Sequence, residues 1–140
     1  MDNFDPTLIS VVMPCHNAAP YVEEAIGSVL GQDYPHIELI VVDDGSTDGS
    51  SEILQRLASN APERITLLYQ NRAGPFAARN RALAHANGNY IAFLDADDTW
   101  QPVALSQMHN ALETRAADIA YCGWQNIGIA ATDTQPNIPP

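Results

Sequence analysis

The chain has 140 residues, of which 46% are hydrophobic and 16% charged, a composition typical of one globular domain with its own core. Its formal net charge of −11 argues against a nucleic-acid partner, because binding to phosphates needs a basic surface. The basic residues are all Arg, and the absence of Lys excludes a P-loop nucleotide site.

No stretch of the chain is apolar over the roughly 18 residues that a membrane-spanning helix needs. The start, MDNFDPTLIS, is acidic and lacks the basic and then apolar pattern of a secretion signal. We therefore expect a cytoplasmic protein without a membrane span. Cys15 and Cys122 both lie in apolar stretches, which predicts two buried free thiols and no disulfide.

Apolar runs and helical periodicity alternate along the chain. The first run, Leu8 to Met13, predicts a buried strand that ends at Pro14. Pro20 then suits the first turn of a helix. The apolar face of that helix is formed by Val22, Ala25, Ile26, Val29 and Leu30.

The same alternation continues as far as residue 124. Further strands are predicted at residues 37–42, 65–69, 90–94 and 119–124. Further helices are predicted after the turn that begins at Asp43, over residues 77–86, and from Pro102 onwards. This pattern predicts an α/β fold with a mostly parallel sheet covered on both faces. The Pro-rich end, residues 130–140, is expected to be a linker or disordered tail, which leaves residues 1–129 as the domain.

Polar residues follow three of the predicted strands at their carboxyl ends. They are Pro14, His16 and Asn17 after the first strand, Asp43, Asp44 and Ser46 after the second, and Asp95, Asp97 and Asp98 after the fourth. Because open parallel sheets bind ligands beyond the carboxyl ends of their strands, we expect a ligand site at this rim. The alternative is a set of solvated turns and helix caps, for which the sequence DDGSTD is well suited.

Two charge patterns at this rim suggest a ligand. Asp95 and Asp97 are two residues apart, so in an extended loop their carboxylates can point the same way and hold Mg²⁺ or Mn²⁺ through oxygen. The chain has no paired Cys or clustered His, which argues against zinc. Arg72, Arg79 and Arg81 are close in sequence and either serve an anionic ligand or form a solvated helix face.

Three segments together resemble the start of a family 2 glycosyltransferase. They are VVMPCHNAAPYVEEAIGSVLGQDY, IELIVVDDGSTDGS and GPFAARNRALAHANGNYIAFLDADD, and the similarity covers about residues 8–125. Each segment alone is a modest match, whereas all three in this order and spacing are highly specific. The resemblance implies a Rossmann-like GT-A fold, a three-layer α/β/α sandwich, in an enzyme that transfers sugar with inversion. The expected donor is a nucleoside-diphosphate sugar, with UDP as the commonest carrier.

The resemblance also implies roles for residues near the nucleotide. Pro14 and the residues that follow it match the loop that lies against the base, so His16 and Asn17 are expected to contact the donor. Asp44 matches the residue that bonds uracil or an equivalent base. Asp43 and Ser46 belong to the same segment and are expected to contribute to nucleotide-sugar binding.

At the phosphates, the resemblance assigns Arg79 to a basic position near the nucleotide. Asp95 and Asp97 match the Asp-x-Asp motif, in which Asp95 faces the ribose and Asp97 binds Mn²⁺ or Mg²⁺. The adjacent Ala96 is expected to contribute to nucleotide-sugar binding. Asp95 is also a candidate ligand of the metal. A cation held there would bridge the carboxylates to the donor pyrophosphate and stabilise the departing nucleoside diphosphate.

The family reaction also needs a general base, an Asp or Glu in the acceptor-binding half. Asp118 and Asp133 come too early in the chain to match it, so we expect the base beyond residue 140 and assign no catalytic residue. We therefore expect a donor-binding half that transfers sugar slowly or not at all, to an unidentified carbohydrate, lipid or protein acceptor. A lipid acceptor would bring the chain to the inner face of the membrane, and apolar surface left exposed would favour self-association.

Four other classes compete with this interpretation. A non-catalytic nucleotide-binding or interaction module is consistent with the missing base. The sequence FLDADDT also resembles the nucleophile motif of haloacid-dehalogenase-like phosphatases, but these carry it after the first strand and need a Lys. A nicotinamide dinucleotide-binding domain needs a glycine motif that PCHNAAPYV lacks. A response-regulator receiver domain also expects a Lys.

Overall fold

The structure is a computed structural model that describes residues 5–127. Strands and helices alternate strictly in this part of the chain. The strands are β1 (Ile9–Cys15), β2 (Ile37–Asp44), β3 (Ile65–Gln70) and β4 (Tyr90–Phe93). The helices are α1 (Val22–Leu30), α2 (Ser50–Asn60), α3 (Pro75–Leu83) and α4 (Ala104–Arg115).

The four strands form one parallel sheet in the order β3-β2-β1-β4. The chain moves outward from β1 to β2 and β3, and then returns to place β4 on the other side of β1. Ile9 of β1 is therefore level with Ile37 of β2 and with Tyr90 of β4. The strand order thus reverses at β1, and the crevice above such a reversal is where open α/β sheets bind ligands.

The sheet is covered on both faces, which confirms the predicted α/β layering. The larger core packs α1, α2 and α4 on one face, against side chains such as Val11, Met13 and Leu39. The smaller core packs Ala78 and Ala82 of α3 on the other face, against Val12, Ile40 and Val42. The side chains of β2 are buried on both faces, as expected for a central parallel strand.

β1 continues through Pro14, where the sequence predicted its end. The pairing of β1 with β4 stops at Val12, whose carbonyl accepts a bond from the amide of Leu94. Backbone groups repeat their direction every second residue, so the nitrogen of Pro14 points to the same side, beyond the paired part of β4. The missing amide hydrogen of proline therefore costs no bond of the sheet. The two strands part at this point, which opens a cleft between them.

The predicted fifth strand at residues 119–124 is wrong for the described chain. This segment contains only an isolated bridge at Trp124, and Ile119 is 81% exposed. An apolar sequence alone does not make a strand, because its backbone groups need a neighbouring strand as partner. The prediction of a buried Cys122 in this segment is also wrong, since its thiol is exposed, whereas Cys15 is buried as predicted.

Helix α3 starts earlier than predicted, because Pro75 occupies its first turn, and it also ends earlier, at Leu83. In residues 5–127, no helix has the length and apolar character needed to cross a membrane. The predicted tail, residues 130–140, lies outside the described residues, as does Asp133.

Candidate functional site

A cleft of about 340 Å³ opens above the carboxyl ends of β1, β2 and β4. It brings together side chains that are far apart in sequence. Its lining residues are Pro14, Cys15, His16, Asn17, Ala18, Tyr21, Asp44, Arg72, Pro75, Arg79, Asp95, Ala96 and Asp97. Eight of the ten residues predicted to form the donor and metal site are therefore neighbours here, and Asp43 and Ser46 are the two that do not line the cleft.

Asp44 forms the floor of the cleft at the end of β2 and is 2% exposed. One carboxylate oxygen accepts bonds from Gln70 Nε2 at 2.8 Å and from the amide of Ala73 at 2.7 Å. The other oxygen accepts the amide of Gly74 at 2.9 Å. Burial opposes the charge of Asp44, but these bonds and the charge of Arg72 outweigh it and lower its pKa. Asp44 is therefore a buried carboxylate that stays ionised and orders the loop before α3.

The loop after β1 is tied to the loop after β2 by several hydrogen bonds. The Nδ1 atom of His16 lies 2.8 Å from the carbonyl oxygen of Asp44. A carbonyl can only accept, so Nδ1 carries the hydrogen, and Nε2 of a neutral ring is then an acceptor. Asn17 adopts a left-handed backbone conformation (φ 48°), which Asn tolerates well. Its amide donates to Ser46 Oγ, and its side-chain oxygen accepts the amide of Thr47.

Asp43 and Ser46 serve this loop connection and not the cleft. The carboxylate of Asp43 accepts the amide of Ser46 at 3.0 Å and the hydroxyl of Ser51 at the start of α2. Successive residues of a strand point to opposite faces, so Asp43 and Asp44 cannot both face the cleft. The geometry thus gives the two predicted acids different surroundings.

Three carboxylates converge after β4. Each of Asp95, Asp97 and Asp98 offers an oxygen, and these oxygens lie within 4.8 Å of one another. Burial, followed by the charges of Asp97 and Asp95, raises the pKa of Asp98. A group of hard oxygen donors that repel one another fits a divalent cation such as Mg²⁺ or Mn²⁺. Asp98 was noted at the rim but not predicted as a ligand, and its place in the cluster depends on the turn in which its amide bonds the carbonyl of Asp95.

Two arginines supply positive charge to the cleft. Arg79 donates to Asp95 at 2.7 Å, and its guanidinium lies 5.8 Å from the centre of the Phe76 ring. Arg72 lines the cleft beside Asp44. Arg81 is exposed and does not line the cleft. The arginine cluster of the sequence is thus divided, with two members at the cleft and one on the outer surface of α3.

Sequence reasoning missed three lining residues: Ala18 in the loop after β1, and Tyr21 and Pro75 at helix starts. Tyr21 immediately precedes α1, and Pro75 begins α3. Both helices start at the carboxyl edge of the sheet, so residues at their first turns lie at the rim. A search of the predicted helix starts, in addition to the strand ends, would have found Tyr21 and Pro75.

Comparison with known proteins places this chain in a family. The sequence profile described as Glycosyl transferase family 2 matches residues 10–139, which is most of the chain. The chain belongs to glycosyltransferase family 2. This confirms the resemblance seen in the sequence motifs.

Curated relatives match nearly all of this chain and are considerably longer. TuaG of Bacillus subtilis, a glycosyltransferase assigned provisionally to teichuronic acid biosynthesis, is 42% identical over 137 residues. An uncharacterised glycosyltransferase of Haemophilus influenzae is 48% identical over 137 residues. These matches cover 97% and 94% of this chain but only 52% and 54% of the two relatives. The chain therefore spans about half the length of these relatives.

Solved structures confirm the GT-A fold and show which ligands similar proteins bind. Staphylococcus aureus TarS in complex with UDP-GlcNAc superposes with a TM-score of 0.72 at 29% identity, over 80% of this chain and 33% of TarS. The mannosyltransferase PcManGT of Pyrobaculum calidifontis, in complex with GDP-Man and Mn²⁺, gives a TM-score of 0.71 at 31% identity. That match covers 89% of this chain and 38% of PcManGT.

Proposed function

We propose that this domain binds a nucleoside-diphosphate sugar together with a divalent cation, as the donor-binding part of an inverting glycosyltransferase. The observation that carries the proposal is the cleft, because it places a buried carboxylate, two arginines and an acid cluster around one space. The TarS and PcManGT complexes, with UDP-GlcNAc and with GDP-Man and Mn²⁺, support this class of ligand.

Asp44 is proposed to read the base of the nucleotide. It stays ionised, and the oxygen that receives the Gly74 amide has a further lone pair to offer. Uracil and guanine can donate a ring N–H to this carboxylate, whereas adenine offers only its exocyclic amino group. We therefore propose UDP or GDP as the carrier, with UDP first because it is the commonest carrier in the family, and with ADP disfavoured.

The other end of the cleft is proposed to hold the diphosphate. Asp97 and Asp95 are the proposed ligands of Mn²⁺ or Mg²⁺, and Arg72 and Arg79 supply further positive charge. A divalent cation bound there neutralises charge that develops on the departing diphosphate. Pro14, His16, Asn17 and Ala96 complete the walls of the proposed donor site. Asp43 and Ser46 are proposed to act indirectly, by fixing the loops that carry Asn17 and Asp44.

Sugar transfer also needs a base that removes a proton from the acceptor hydroxyl. The acidic residues that line the cleft are Asp44, Asp95 and Asp97, and the proposal uses all three for the donor. We therefore propose that the general base, and the acceptor site, belong to a part of the enzyme outside the described residues.

Calorimetric titration of UDP, GDP and ADP tests this function, with Mn²⁺ and with a chelator. We expect UDP binding that depends on Mn²⁺ and that weakens at least about tenfold in Asp97→Asn, a loss of roughly 1.4 kcal/mol. Asp33→Asn is the matched control, because Asp33 is exposed and distant from the lining residues in sequence. A folded protein that binds no nucleoside diphosphate, or binds ADP as tightly as UDP, would contradict the proposal.

A further inference from the structure

In the cleft, Arg79, which is proposed to bind the diphosphate, forms a salt bridge with Asp95, which is a proposed ligand of the metal. Arg79 donates from a terminal guanidinium nitrogen to a carboxylate oxygen of Asp95 at 2.7 Å, and the two side chains are 26% and 48% exposed. The Phe76 ring lies beside the same guanidinium, whose central carbon is 5.8 Å from the centre of the ring. Arg79 is thus held by the helix, by an aromatic ring and by a carboxylate.

Asp95 is at the same time a member of the acid cluster. Its carboxylate lies within reach of those of Asp97 and Asp98, in the arrangement that fits a divalent cation. The guanidinium therefore occupies one oxygen of a proposed metal ligand and places a positive charge beside the metal position. A cation that enters alone must share Asp95 with Arg79 and is repelled by it.

When a diphosphate binds, Arg79 no longer opposes the cation but favours its binding. Its oxygens are bidentate acceptors for a guanidinium, so Arg79 gains an anionic partner when the nucleotide binds. The same anion attracts the cation. Arg72, which also lines the cleft, adds to the attraction for the diphosphate. The charge that opposes the cation in the empty cleft therefore supports the cation and the nucleotide once both are present.

We infer that Arg79 couples the two ligands: it weakens binding of the divalent cation alone and strengthens binding of the nucleotide with its cation. The cleft then takes up the cation together with the nucleotide and is not loaded with metal beforehand. This inference rests on the proposed function, since it assumes that the cleft binds a nucleoside diphosphate. Arg79 is thus a coupling and positioning residue.

The test measures free Mn²⁺ by electron paramagnetic resonance, in titrations without nucleotide and with saturating UDP. The ratio of the two dissociation constants gives the coupling between the ligands. We expect Arg79→Gln to bind Mn²⁺ alone more tightly than the wild type does. We also expect it to lower the coupling ratio at least about fivefold, the lower end of typical coupling between two ligands.

Two further variants separate charge from geometry. Arg79→Lys keeps the positive charge, so it should bind Mn²⁺ alone as weakly as the wild type, although it loses the forked geometry for the diphosphate. Arg81→Gln removes the same charge from the same helix but away from the cleft, and it should leave both constants unchanged. Thermal melts of all variants verify that each is folded.

The outcomes distinguish the inference from the proposed function. If UDP binds to Arg79→Gln with an unchanged coupling ratio, the inference is wrong and the function stands. If Arg79→Gln binds Mn²⁺ alone more weakly, Arg79 only holds Asp95 in place, and the coupling role is also wrong. If the folded wild type does not bind UDP under any condition, the proposed function fails and the inference fails with it.

Discussion

The contacts of Asp44 allow a quantitative prediction for Asp44→Asn. The substitution keeps the shape of the side chain but replaces one acceptor oxygen by a donor NH₂ group. In the orientation that keeps the bonds from Gln70 and Ala73, the new NH₂ group faces the amide of Gly74, at the present distance of 2.9 Å. Two donors then meet, and the opposite orientation loses two bonds instead of one. No orientation of Asn satisfies all three donors.

The expected cost follows from the kind of bond that is lost. A hydrogen bond to a charged group contributes roughly 1.5–3 kcal/mol, and one between neutral groups roughly 0.5–1.5 kcal/mol. Asp44→Asn loses one charged bond and converts two others to neutral ones. With a 2% exposed side chain, water does not replace the lost partner. These losses sum to roughly 3.5–6 kcal/mol, but Asn also avoids the cost of burying a charge, which opposes them. We therefore expect the free energy of unfolding to fall by about 2–4 kcal/mol, within the upper range for single substitutions.

Urea unfolding at neutral pH measures this difference. Asp33→Asn is the control, since it removes the same charge from an exposed position and should change stability by less than about 0.5 kcal/mol. Equal stabilities of Asp44→Asn, Asp33→Asn and the wild type would contradict this prediction, because the bonds of Asp44 would then contribute nothing.

Three further predictions concern pH, packing and thiol chemistry. Folding lowers the pKa of Asp44 below its ordinary value of 3.8, so the ionised carboxylate stabilises the fold above pH 3.8, and this stabilisation is lost as the pH falls further. In urea unfolding at a series of acidic pH values, the free energy of unfolding should therefore fall less with pH in Asp44→Asn than in the wild type. Gly88→Ala should cost about 1–3 kcal/mol in urea unfolding, since its Cβ would lie 2.6 Å from a backbone nitrogen of β1, whereas Gly27→Ala meets nothing within 4 Å and should not destabilise. Burial, with the charge of Asp43, raises the pKa of Cys15 to about 11, so a disulfide reagent at pH 8 should modify Cys122 quickly and Cys15 only after unfolding. Rapid modification of both thiols in the folded protein would contradict the last prediction.

The position of the site could be predicted from the sequence because strand ends are visible in it. Each apolar run stops where polar residues begin, and in a parallel sheet these ends share one edge. The sequence therefore predicted that Asp44, Asp95 and Asp97 lie close together, and the structure places all three around the cleft. The order of the strands was not needed for that conclusion.

The sequence of β2 does not show to which face of the sheet each of its side chains points. Its sequence, IELIVVDD, is apolar at nearly every position, so no alternation shows which face a residue occupies. In the structure, Leu39 and Val41 belong to the larger core, and Asp43 follows them in alternation toward α2. Ile40 and Val42 face α3, and Asp44 follows them toward the cleft. Only the family resemblance distinguishes Asp44 from Asp43 in the sequence, because the residue pattern of β2 treats them alike until α3 is placed.

The fifth predicted strand failed for a different reason. The apolar character of Ile119, Tyr121 and Trp124 is real, but these side chains are exposed in the described chain. A strand forms only where an adjacent strand can pair with its backbone, and the sequence of the segment alone does not show whether such a strand is present. Local pattern therefore predicted the strands that pair with a neighbour, and it overestimated residues 119–124, which form only an isolated bridge in the described part of the chain.

The most direct measurement of the proposed function is a ¹H–¹⁵N correlation spectrum of the protein as UDP is added with Mg²⁺. At 15.2 kDa the chain is well suited to this method. We expect the shifted amides to lie around the cleft, in residues 15–18, 44–46, 72–74, 76–79 and 95–98. Amides at the opposite edge of the sheet, such as those of Thr7 and His36, should stay in place. Shifts centred away from the cleft, or none at saturating nucleotide, would contradict the donor-binding site.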